Sequence, residues 1–188
     1  MSRSSFAAFQ EASRFAADES AVSAIEFALL LPFIVLLLAG MVDVNEGLTV
    51  RRKLRQISSS ISDLVAQRGS ITKDNANNFL AGAATILEPY DGINLSIVLT
   101  VANVTDEGQT VAWSLAYQGA KEAAGAASAN PAPDDLAETG VQMVGVTVDY
   151  SFETIFSSYL AGIYGRTGYS MHDEMHERPR IGDTITLD

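Results

Sequence analysis

Phe27–Val42 reads FALLLPFIVLLLAGMV, a run without a single charge, and Glu26 stands at its N-terminal edge. A membrane-crossing helix needs about 20 predominantly apolar residues. The run reaches that length once Val22-Ser23-Ala24-Ile25 are added, which places Glu26 inside the span. A cleaved secretory signal would show a basic start, a shorter apolar stretch and a small-residue cleavage site after it. Here Arg3 and Arg14 are outnumbered by Glu11, Asp18 and Glu19, and no A-x-A site follows Gly40. The segment therefore reads as a retained single span over residues 22–44. Pro32 would kink such a helix rather than end it.

Beyond the span, helical periodicity continues to Gly69. Val44, Leu48, Leu54, Ile57, Ile61, Leu64 and Val65 recur at three- and four-residue intervals, the pattern of a one-sided helix. A continuous helix over residues 22–68 would be roughly 70 Å long at 1.5 Å per residue. Its first part (22–44) belongs in lipid, and its amphipathic second part (45–68) can pack under a head formed by residues 69–188. The expected fold class is therefore α+β, with a long membrane-spanning stem helix continuing under a small antiparallel sheet and one further helix.

The head pattern supports that class. Thr72 is a candidate cap for a second helix carrying Ala76, Phe79, Leu80, Ala83, Ala84 and Leu87 on one side, ended by Pro89. From Ile93 the period changes to two: Ile93, Leu95, Ile97, Leu99 and Val101 alternate with polar residues. Thr105-Asp106-Glu107-Gly108 reads as a turn, after which Val111, Trp113, Leu115 and Tyr117 resume the alternation. The result is a β-hairpin with one buried face, anchored by Trp113. Residues 118–140 are rich in Ala, Gly, Asn and Pro and read as a long surface loop with one helical turn at 134–138. A further strand carries Val144, Val146, Val148, Tyr150 and Phe152 on one face. The signal fades over Phe156 to Tyr164, an edge strand is expected at Tyr169 to Met175, and residues 178–188 read as a polar, loosely held tail.

Charge narrows the partners. The net charge is −11, and all of it lies from Glu88 onward, where fifteen acidic residues face four basic ones. Such a head repels phosphate backbones, so nucleic acid is not an expected partner. There is no Cys, hence neither a disulfide framework nor a thiolate metal site. Arg51, Arg52, Lys53 and Arg55 follow the span, and the positive-inside tendency alone would put that side in the cytoplasm.

Chemistry-bearing motifs are sparse. On a strand, His172, Glu174 and His176 would align, and on a helix the two histidines would share a face. The zinc-protease spacing nevertheless requires Glu directly after the first His, and Asp173 stands there. Solvation of an edge strand is the simpler reading, and no metal or cofactor is expected. Asn94-Leu95-Ser96 and Asn103-Val104-Thr105 match a glycosylation triplet but fall within a strand. Gly162, Gly165 and Gly168 lack the strand that a nucleotide loop needs, and there is no nucleophile elbow. The chain does not read as an enzyme.

The segment ESAVSAIEFALLLPFIVLLLAGMVDV resembles the N-terminus of the TadE/TadG-like family of tight-adherence (Tad, or Flp) pilus components. Looser likenesses follow in ILEPY (Ile86 to Tyr90), VAWSLAYQG (Val111 to Gly119) and GVTVDYSF (Gly145 to Phe152). The resemblance implies a pilin-like stem and head, with residues 1–21 as a prepilin-type leader. It implies processing between Ala21 and Val22, with Ala21 standing where the family usually has Gly. It also implies that Glu26, fifth in the mature chain, and Phe27 act in assembly. The partners implied are a prepilin peptidase, other pilin and pseudopilin subunits met through the stem, the inner-membrane Tad assembly platform and membrane lipid. The head would then lie in the periplasm, opposite to what the basic cluster suggests. The function implied is a minor pseudopilin that helps to initiate or assemble an adhesive filament. The alternative is an unprocessed single-pass scaffold or ligand-binding module that never enters a filament.

Overall fold

One helix, α1 (Glu19–Ala66), runs for 48 residues with Pro32 inside it. The computed structural model describes residues 19–154 and 168–188, with side chains from Val22 onward. Residues 1–18, most of the expected leader, and Phe156 to Tyr164 lie outside the described residues. After α1 come β1 (Ser70–Ile71), α2 (Lys73–Ala84), a 3-10 turn (Thr85–Leu87), β2 (Leu95–Thr105), β3 (Gly108–Tyr117), β4 (Gln142–Phe152), β5 (Tyr169–Glu177) and β6 (Thr186–Leu187). The chain divides into two compact units between Asn45 and Glu46.

In the first unit the apolar side chains point outward. Fourteen large ones between Val22 and Val42 are exposed. That is far more contiguous apolar surface than a water-soluble domain tolerates. α1 contains a window long and apolar enough to cross a membrane.

In the second unit the lower half of α1 is the spine of the core. Val50, Leu54, Ile57, Ile61 and Val65 are fully buried at three- and four-residue intervals. Removing one of them, as in Leu54→Ala, costs about 2–5 kcal/mol. Val44, Leu48 and Leu64, expected on this stripe, are instead exposed, and Val50 joins it. The buried face is turned toward Ser58 and Ser62, both 0% exposed, because a polar strand edge meets them there. Ser58 Oγ donates to Asp173 of β5.

Thr72 caps α2, its hydroxyl accepting the Asn75 N–H at 3.3 Å, and Ala76, Leu80 and Ala83 are buried. The α-helix stops at Ala84, and the 3-10 turn carries Leu87 into the core.

The sheet has the order β3-β2-β4-β5 and is antiparallel throughout. Leu99 lies opposite Leu115 and Val146 at its centre. Leu95, Ile97, Leu99 and Val101 of β2 and Val144, Val146, Val148, Tyr150 and Phe152 of β4 are buried in the same cluster as the α1 stripe. Asp106 and Glu107 make the hairpin turn between the Thr105–Gly108 pair, where Gly108 takes a φ of +130° that L side chains rarely adopt. Ile93 stays outside the strand and is 75% exposed.

Two expectations are corrected here. Val111 does not share the face of Trp113. The register shifts between Val101, opposite Trp113, and Ala102, opposite Val111. This bulge passes over Ala112 and sends Val111 to the other side of the sheet. Residues 118–140 form an irregular surface segment, and they also cover that other side. Thr100 Oγ1 donates to Glu122 at 2.8 Å, Gln109 exchanges two hydrogen bonds with the Ala132 backbone, and Ala132 packs with Val104 and Met143. Asn130 Nδ2 donates to Thr147 Oγ1 at 2.8 Å. One hydrogen-bonded turn occurs where it is expected, with the Leu136 and Ala137 N–H groups on the Pro133 carbonyl.

The tail, finally, is not loosely held. β6 pairs in parallel with β1, the Arg180 N–H donates to the Ala66 carbonyl at 2.7 Å, and Ile185 is 1% exposed.

Candidate functional site

The four residues singled out for processing and assembly all lie in the first turns of α1. The Ala21–Val22 peptide is helical. Val22 and Phe27 are 49% and 60% exposed, and Glu26 is exposed between them. Val22 and Glu26, four residues apart, share one helix face. The Glu26 carboxylate has no hydrogen-bond or ion-pair partner among the described residues. A carboxylate in lipid costs roughly 2.5–3.5 kcal/mol on insertion scales. Such a position therefore favours a cationic partner that is buried with it.

The basic run that follows the span is divided by the helix into two roles. Lys53 reaches one side, where its Nζ donates to the carbonyls of Ile86 (2.8 Å) and Glu88 (2.7 Å). These groups close the end of the 3-10 turn, so Lys53 acts as a clamp within the head. Arg51, Arg52 and Arg55 face elsewhere and are exposed. Together with Leu48 and Asp173 they line an open cleft. Arg52 is folded back along α1, with Nε on the Leu48 carbonyl and a terminal nitrogen on Thr49 Oγ1, both at 3.3 Å.

On the outer face of the sheet, β5 brings His172, Glu174 and His176 into line. His172 Nδ1 lies 2.8 Å from Asp149 and its Nε2 2.8 Å from Glu174. An imidazole held between two carboxylates donates from both nitrogens as the imidazolium. The hydrogen bond to Asp149, then that to Glu174, raises its pKa above 6.5. His176 serves a different partner, the Asn130 carbonyl at 3.1 Å. It lies over Gly145, where a Cβ would meet the imidazole ring at 3.4 Å. Among the described residues no group of three or more His, Asp or Glu side chains is arranged to hold a metal ion.

Two features were missed from sequence. Asp149 completes the His172 bridge through strand register, Asp149 standing opposite His172, and no local pattern announces that. The arginine cleft did have a signal, the spacing 48, 51, 52 and 55 on one helix face, but the charge run was read only for topology. No protein-family model, curated protein or solved structure matches the chain.

Proposed function

We propose that the chain is a minor pseudopilin or assembly component of a Tad (Flp)-type pilus, anchored in the inner membrane with its head in the periplasm. One observation carries this reading. A single helix supplies both an exposed apolar segment holding Glu26 and the buried spine of an antiparallel head. A protein that only needed an anchor would not require its anchor helix to be the core of its folded domain.

In this reading a prepilin peptidase removes residues 1–21 and leaves a free α-amino group on Val22. The Glu26 carboxylate pairs with that group in its own chain or in a neighbouring subunit, which offsets the desolvation of both. Phe27 and the apolar side chains around it pack laterally against other stems, where association in lipid depends on close side-chain packing. Determining the N-terminus of the protein from its native membrane tests the proposal. A chain beginning at Val22 is expected. One beginning at Met1 or Ser2 overturns processing and favours the unprocessed scaffold or ligand-binding module.

A further inference from the structure

Leu48, Arg51, Arg52 and Arg55 stand on one side of α1. With Asp173 of β5 they enclose an open cleft of about 350 Å³, within the ~300–1,000 Å³ range of small-ligand sites. Three guanidinium groups meet one carboxylate there, in a chain whose net charge is −11. The cleft is thus a cationic pole on an acidic molecule.

The positive charge is not spent inside the protein. Asp173 accepts a hydrogen bond from Ser58 and pairs with none of the three arginines. The Arg51 and Arg55 guanidinium groups have no hydrogen-bond or ion-pair partner among the described residues. Like charges three and four residues apart on a helix repel one another, and among the described residues the cleft sets only the single carboxylate of Asp173 against three guanidinium groups. An external anion would offset the rest. The planar guanidinium fork matches phosphate oxygens in pairs, and Arg52 is already held in place through Leu48 and Thr49.

We propose that this cleft binds a phosphate-bearing anion. Two sources share that chemistry: the headgroup of an acidic phospholipid and free phosphate. In sequence the arginines follow closely on the uncharged run that ends at Val42, where basic residues next to a span meet acidic headgroups. Leu48, 55% exposed, adds an apolar wall that suits the glycerol end of a lipid. The inference is independent of the pilus reading, since it requires only that the cleft remain accessible in the membrane-held protein.

The test uses the full chain in a neutral detergent at low salt. Short-chain phosphatidylglycerol, short-chain phosphatidylcholine and inorganic phosphate are titrated, and binding is measured by calorimetry. Phosphatidylglycerol is expected to bind at least about tenfold more tightly than phosphatidylcholine, given about 1 kcal/mol per basic residue near an anionic surface. The double variant R51Q/R55Q is expected to lose at least about tenfold of that affinity. D173N keeps a hydrogen-bond acceptor for Ser58 and removes the cleft's negative charge, so it is expected to bind more tightly. Inorganic phosphate binding as tightly as phosphatidylglycerol, with the same response to the variants, assigns the cleft to a soluble phosphate. Unchanged binding in R51Q/R55Q, weaker binding in D173N, or no preference over phosphatidylcholine together with no phosphate binding overturns the proposal.

Discussion

Trp113 donates its indole N–H to the carbonyl of Ile185 at 2.8 Å, so a residue in the middle of β3 holds the last segment of the chain against the core. Ile185 N–H in turn donates to Gln142 Oε1 at 2.7 Å. Trp113→Ala removes both the ring and the donor. We expect it to destabilise the head by about 3 kcal/mol, near the lower end for large aromatics because Trp113 is only partly buried. Trp113→Phe should lose only about 1 kcal/mol through the missing hydrogen bond. Urea unfolding of a fragment starting at Glu46 would measure both. Unchanged stability in Trp113→Phe would refute the role of the indole N–H.

Lys53 and Arg52 are neighbours with opposite expected sensitivities. Lys53→Met strands the Ile86 and Glu88 carbonyls and should cost about 1–3 kcal/mol. Arg52→Gln touches only exposed bonds along its own helix and should stay within about 0.5 kcal/mol. Thermal melts of the two variants side by side decide this, and similar melting temperatures would remove the clamp from the account.

His172 supplies a pH dependence. Its folded pKa is raised, chiefly by Asp149 and then by Glu174. The stabilisation is therefore complete below the unfolded value of about 6.5 and is lost as pH rises through the raised folded value. The site is half exposed, which limits the effect to under about 1 kcal/mol. NMR titration of the imidazole should give a pKa above 6.5, and Asp149→Asn should lower it. An unshifted titration in the parent protein would contradict the geometry.

Under the proposed processing, Glu26→Gln should leave the protein inserted and the head folded while impairing assembly, since it removes the partner proposed for a Val22 amine. Removing the charge should also ease entry into lipid. Pili counted by electron microscopy in a strain carrying the variant provide the readout, and normal numbers would make Glu26 a surface residue without a role.

Orientation is open to a direct measurement. Alkaline phosphatase fused after Asp188 should be active, because that enzyme works only when exported. Activity confined to a fusion partner that works in the cytoplasm would reverse the topology and, with it, the pilus proposal.

Leu54, Ile57, Ile61 and Val65 of α1 and the inward residues of β2 and β4 were legible, because each set is a local period of 3.6 or 2, and Thr72 was legible as a cap from its place before the second helix. Val111 was not, since a bulge adds one residue without changing the composition of the strand. The covering role of residues 118–140 was not either. It depends on single long-range polar pairs, such as Glu122 with Thr100, and these leave no periodic trace. On α1 the buried face also takes in Ser58 and Ser62, so a pattern of apolar residues alone points to Val44, Leu48 and Leu64, which are exposed. For the candidate sites, Glu26 was visible from its contrast with an apolar run. The division of labour between Lys53 and the three arginines was not, because the Lys53 acceptors come from residues 86 and 88.

The β1–β6 pairing sets a timetable as well as a shape. Ser70 and Ile71 leave the ribosome long before Thr186 and Leu187, their partners, so the two-stranded unit waits until β2 to β5 have been made. Until then the sheet lacks the Ile185 lock on Trp113, and the buried stripe of α1 awaits strands that are synthesised after it. The head is thus a late closer, in which the final pairing joins an early segment of the chain to a late one.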